Sequence, residues 1–157
     1  MDKNEFKEFC KKEFYKRGYK KIRKMYYLVG TEGVMSGICL QKSNFGEEYY
    51  VNFYFFIGNF QGVSTSLYPT QYEYDVYSRI PVMSKKERDQ HTKECFITGA
   101  IEYLEYTEET LRPYFDKAFE ELILPPVYQG KQYILENLNK LYRLSLRKEE
   151  VLKKLQE

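Results

Sequence analysis

Few residues of this chain are typed and spaced for catalysis. His91 is the sole histidine, and it stands in the fully polar run SKKERDQHTKE. A nucleophile needs a base held beside it, and a histidine in such a run reads as solvent-exposed. Ser36 stands in GVMSG, where the glycine spacing is not that of the G-x-S-x-G elbow. The acid pairs Glu47-Glu48 and Glu108-Glu109 are adjacent residues, and neighbours on a strand point to opposite faces. They do not form the facing carboxylates of a glycosidase. No phosphate-binding glycine loop of either common spacing occurs. A metal site would need ligand clusters, and there is one histidine and no C-x-x-C pair. Neither a metal nor another cofactor is expected, and no residue is assigned a catalytic role.

Three polar residues remain as convergent candidates on different segments: Gln41, Asn52 and Arg79. The elements that must position them follow from the hydrophobic pattern. At 157 residues the chain suits one compact domain. Residues 2–17 read as a helix, with Phe6, Phe9, Cys10 and Phe14 on one face and Asp2 as N-cap. Gly18 is placed to end it. Strands are expected at Tyr19–Val29, Val34–Lys42, Glu48–Ile57 and Gln71–Ile80, where Pro81 stops the run. Residues 96–106 read as a fifth strand, with helix-forming Ala100, Leu104 and Glu105 competing. Thr107 starts a helix with Leu111, Phe115, Ala118, Phe119 and Leu122 as its stripe, ended by Pro125-Pro126. Residues 129–156 read as one last helix, roughly 40 Å long at 1.5 Å per residue. The fold class is α+β: an antiparallel meander of four to five strands, packed by an N-terminal helix and C-terminal helices. Residues 1–126 form the domain, and residues 127–157 a C-terminal helix packed on it or extending from it.

The third strand contains YYVNFYFF, residues 49–56, in which six of eight side chains are aromatic. Alternation places Tyr49, Val51, Phe53, Phe55 and Ile57 on one face, facing the phenylalanine stripe of the first helix. Tyr50, Asn52, Tyr54 and Phe56 share the other, mixed face. A second helical layer is the expected cover for it. Where it is bare, Tyr50, Tyr54 and Phe56 join Gln41, Asn52 and Arg79 as an interaction surface.

Charge is distributed unevenly. Net charge is +2, yet residues 1–24 hold ten Lys or Arg against four acids. Lys20, Lys21, Arg23 and Lys24 are candidates for phosphate contacts, with Tyr15 or Tyr19 stacking on bases. Glu8 and Glu13 dilute that patch, and a pI near 8.2 is modest for a nucleic-acid binder. Within residues 102–121 seven acids face two bases. Glu108, Glu109, Glu120 and Glu121 are candidates for contact with a basic partner.

The N-terminus MDKNEFKEF is charged at once, which reads as no signal peptide. No apolar run approaches the ~20 residues of a membrane span. Cys10, Cys39 and Cys95 are odd in number and far apart, as expected for reduced thiols in a cytoplasm. Cys39, in mid-strand, is expected to be buried and inert.

Several of these segments fit a known pattern. A helix ends in Arg17-Gly18-Tyr19-Lys20-Lys21, a strand runs into Gln41-Lys42-Ser43-Asn44-Phe45-Gly46, the aromatic strand with Asn52 follows, and a later strand ends in Arg79-Ile80. Over about residues 3–125 the chain resembles the bacterial domain-of-unknown-function family 4304. The stretch after Arg79 lacks the tryptophan expected of such proteins. The resemblance implies an α+β domain of cytoplasmic bacterial origin and no activity. Small domains of this style also resemble immunity proteins that neutralise toxins, an analogy of size alone. The leading expectation is a non-enzymatic binding module with a protein partner. The alternatives are nucleic-acid binding through the basic stretch, and a small-molecule or enzyme pocket on the sheet. The last helix offers a seam for a homodimer, its heptad-like leucines interrupted at Ser145 and Lys148.

Overall fold

The computed structural model describes residues 1–83 and 99–157. Helix α1, Lys3–Tyr15, buries Phe6, Phe9, Cys10, Glu13 and Phe14, the stripe that its 3.6-residue period dictates. The Asp2 side chain accepts the Glu5 N–H at 2.8 Å and caps the start. Gly18, at φ +93°, reverses the chain, so that the Tyr19 N–H reaches back to the Phe14 carbonyl at 3.2 Å.

Six antiparallel strands then form one sheet in chain order: β1 Lys20–Ile22, β2 Met25–Val29, β3 Val34–Lys42, β4 Tyr49–Ile57, β5 Val76–Arg79 and β6 Arg143–Leu144. The expected first strand, Tyr19–Val29, is two strands. Ile22 pairs with Met25, which leaves Arg23-Lys24 as a two-residue turn. Such turns favour Asn-Gly; here Arg23 itself takes φ +60°. The expected fourth strand is shorter, because Gln71–Glu73 forms a 3-10 turn capped by Thr70. Of the expected fifth strand, residues 96–98 lie outside the described residues, as does the polar run holding His91. Ile101 makes a single bridge to Tyr49, and Tyr103–Glu105 is a 3-10 turn.

Helix α2, Glu108–Ala118, begins where Thr107 and Thr110 cap each other's backbone N–H groups. It runs into a π-helical turn, Phe119–Ile123, and then α3, Leu124–Gln129. Pro125-Pro126 therefore opens a helix instead of ending one, in the first turn where a missing N–H is harmless. The expected last helix is also broken. Helix α4, Lys131–Glu136, is followed by β6 and by α5, Lys148–Gln156. Asn137 turns its amide back to the Tyr133 carbonyl at 2.8 Å, and Asn139 takes φ +68°. Pairing of β6 with β5 then takes residues 143–144. Val151 and Leu155 of α5 are buried in the domain, so these last turns pack on it and do not project.

The core lies between the sheet and the helices. Tyr49, Val51, Phe53 and Phe55 of β4 meet Phe6, Phe9 and Phe14 of α1 and Leu111, Phe115 and Phe119. Val127, Ile134, Tyr142, Val151 and Leu155 belong to the same core. Each fully buried ring contributes about 2–3 kcal/mol by removal from water. The outer face has a smaller cluster of Met25, Tyr27, Met35, Cys39, Tyr54 and Phe56. Its cover is not a helix. Phe60, Tyr68 and Tyr74, from the connection between β4 and β5, pack there with Tyr77. The Tyr27 hydroxyl fastens this cover by donating to the Pro69 carbonyl at 2.6 Å.

Candidate functional site

The cover protects only part of the outer face. Beyond it, alternation on β3, β4 and β5 projects Gln41, Tyr50, Asn52 and Arg79 to one side. The register completes the group: Gln41 pairs with Tyr50, and Asn52 with Arg79. The Arg79 Nε–H donates to Asn52 Oδ1 at 2.9 Å, and its Nη2 to Gln41 Oε1 at 3.4 Å. Asn52 Nδ2 donates to that same Gln41 oxygen at 2.7 Å. The guanidinium lies over the Tyr50 ring, 4.0 Å from its centroid. Asn52 is buried, Arg79 and Tyr50 are half-buried, and Gln41 is exposed.

Arginine can only donate hydrogen bonds, so both side-chain amides must turn their oxygens inward. The two amide oxygens of the cluster are thereby used inside it. Its unspent groups, among the described residues, include the Gln41 amide N–H pair and three of the five guanidinium N–H donors. No carboxylate pairs with Arg79 among the described residues.

Beside the cluster lies a hollow of about 380 Å³, lined by Cys39, Leu40, Gln41, Asn52, Tyr54, Gln71, Tyr72 and Tyr74. Tyr54 and Asn52 thus belong to both the wall and the sheet. Burial raises the Cys39 thiol above its ordinary value, which favours the protonated form over the nucleophilic thiolate. Burial likewise pushes up the Tyr54 hydroxyl. Phe56 is elsewhere, 1% exposed under the cover. Sequence reading missed Tyr72, which is 83% exposed at the rim. Its signal was the Thr70–Glu73 capping box, which curls that segment into a turn.

The basic candidates do not form one surface. Lys20 pairs with Tyr27 on the outer side of the sheet, whereas the Lys21 ammonium lies 5.7 Å over the Tyr26 ring on the helix side. Arg23 donates to the Tyr68 carbonyl at 3.1 Å, and Lys24 is exposed beside it in the turn. Arg17 is committed to Asp116 at 2.6 Å and stacks on Phe119 at 4.1 Å.

The acidic candidates also divide. Glu108 and Glu109 open α2, while Glu120 and Glu121 lie in the π-helical turn, roughly 18 Å away along the axis. Glu108 meets Arg112 at 3.5 Å. Backbone hydrogen bonding at the helix start, then the Thr107 hydroxyl, holds the Glu109 carboxyl below its ordinary range. Glu108 and Glu109 instead line a cleft of about 470 Å³ with Met1, Glu5, Glu8 and Lys12.

Among the described residues, no group of three or more His, Cys, Asp or Glu side chains is placed to hold a metal ion. Among them, no helix is long and apolar enough to cross a membrane. No curated protein and no solved structure matches the chain. The model of one family, described as a domain of unknown function (DUF4304), matches residues 10–121, a span that contains Gln41, Tyr50, Asn52 and Arg79. On that match the chain belongs to the DUF4304 family.

Proposed function

We propose that this chain is a non-enzymatic binding module that engages a protein partner through the outer end of its sheet. One observation carries the reading: Arg79 is stacked on Tyr50, oriented by Asn52 and Gln41, and unmatched by any carboxylate among the described residues. A half-buried guanidinium held in this way is arranged for an external acceptor. The nucleic-acid reading has less geometric support, because Lys20 and Lys21 lie on opposite sides of the sheet. The buried free thiols of Cys10 and Cys39 support a reducing, cytoplasmic setting, and the family resemblance favours a bacterial one.

A native-lysate pull-down tests the function. Wild type is compared with Arg79→Ala and with a Lys20→Glu, Lys21→Glu, Arg23→Glu, Lys24→Glu variant, each with and without nuclease. The expected result is a discrete protein that survives nuclease and is lost only from Arg79→Ala. Bound material that nuclease removes, and that the charge-reversed variant fails to hold, would replace this reading with the nucleic-acid one.

A further inference from the structure

The chemistry of the cluster and the hollow points to a narrower class of ligand. We infer that Arg79 receives a carboxylate whose attached apolar group, flat and ring-sized, fills the hollow beside it. This inference rests on the reading of the outer sheet end as the binding site. Three features select such a ligand.

The first is donor polarity. Both amide oxygens of the cluster are occupied by Arg79 or by Asn52. Among the described residues, what the cluster offers outward includes the remaining guanidinium N–H groups and the Gln41 amide N–H pair. A group that only accepts hydrogen bonds satisfies them, and one that brings its own donors does not. The second is charge and shape. One guanidinium, without a second cation in the cluster, balances one negative charge. Its planar edge matches the two oxygens of a carboxylate in a fork. The Tyr50 ring below the plane holds that edge in a fixed direction. The third is the hollow. At about 380 Å³ it is near the lower end of ligand pockets, and the rings of Tyr54, Tyr72 and Tyr74 supply apolar walls. Gln41 and Asn52 belong both to that wall and to the arginine cluster, so one small molecule can touch both.

Two sources offer this chemistry: a free aromatic acid, or the carboxyl terminus of a protein that ends in an apolar side chain. The probes are N-acetylphenylalanine, its amide, phenylacetate and inorganic phosphate, titrated into the whole chain and followed by backbone amide NMR. The acid is expected to shift the Gln41, Asn52, Tyr72 and Arg79 amides saturably. The neutral amide and phosphate should each bind at least tenfold more weakly. Arg79→Gln should lose at least tenfold in affinity for the acid. Arg79→Lys should fall between, since an ammonium cannot make the fork. Tyr72→Ala should lose severalfold yet keep the preference for acid over amide.

Binding of N-acetylphenylalanine tighter than phenylacetate assigns the site to a chain terminus; the reverse assigns it to a free acid. Both orders support the carboxylate. Equal binding of acid and amide, an unchanged Arg79→Gln variant, phosphate as tight as the acid, or no saturable shift at those amides would overturn it. If a pull-down partner is nevertheless lost from Arg79→Ala, the binding surface stands and only the carboxylate assignment fails.

Discussion

Asp75 Oδ1 lies 3.0 Å from Lys154 Nζ, across 79 residues of chain. The other oxygen of Asp75 accepts the Ile57 N–H at 2.8 Å. One buried carboxylate thus joins the end of β4, the start of β5 and the last helix. Asp75→Asn retains the shape but leaves the lysine without its charge partner. It should lower unfolding free energy by about 1–3 kcal/mol in urea. Lys154→Met should cost at most about 1 kcal/mol, because the lysine is partly solvated. Equal losses would show that the Lys154 pair outweighs the longer contact of Asp75 with Arg147 at 3.9 Å.

Alkaline pH is a second test. Burial is the chief cause that raises the hydroxyls of Tyr19, Tyr54 and Tyr142 above the ordinary value of 10.0. An acid whose folded value is raised favours the folded state fully at pH below the unfolded value. That contribution falls as pH rises through 10 and beyond, because the unfolded chain ionises first. Phenolate absorbance from these three rings should therefore grow in step with loss of ellipticity. Ionisation complete before any loss of structure would contradict their burial.

Gly30 tests the seam between sheet and α3. A β-carbon there would stand 2.4 Å from the Val34 carbonyl oxygen and 2.5 Å from that of Val127. Both obstacles are backbone, so one must move. Gly30→Ala should cost about 2–4 kcal/mol, read as a lowered Tm. Gly46→Ala meets no atom within 4 Å and should change stability by less than about 0.5 kcal/mol.

The cover of the outer face hangs partly on one hydroxyl. Tyr27→Phe removes the bond to Pro69 and should cost about 1 kcal/mol. Hydrogen exchange should quicken severalfold for amides in 58–75, with little change in β3 and β4. Uniform quickening would mean that the cover and the sheet open together.

How far the sequence foretold this depended on which pattern governed each segment. In β4 the period of two assigned Phe53 and Phe55 to the core and Asn52 to the outer face without knowledge of the neighbours. Gln41 and Arg79 could be nominated for the same reason, since each lies on a strand with clear alternation. Their meeting at Asn52 depends on register, which no local pattern states. The last helix was misread because Ile134, Leu138 and Leu141 suit helical spacing, while Leu138 bridges Tyr142 and residues 143–144 pair with β5. At Arg23 a turn forms without glycine or asparagine, so the usual signal was missing. The cover of the outer face was unreadable because aromatic residues of a loop, such as Tyr68, carry no periodicity.

The position of β4 within the sheet has a consequence for coexistence with other copies of the chain. A run of six aromatic residues in eight is the kind of segment that stacks into fibrils when its backbone is open. Here it lies between β3 and β5, with its ladder filled on both sides. The margins of the sheet are poor templates: β1 presents Lys20 and Lys21, and β6 is two residues long. The chain thus sets its most aggregation-prone stretch behind two margins that template a further strand poorly, one carrying lysines and the other two residues long.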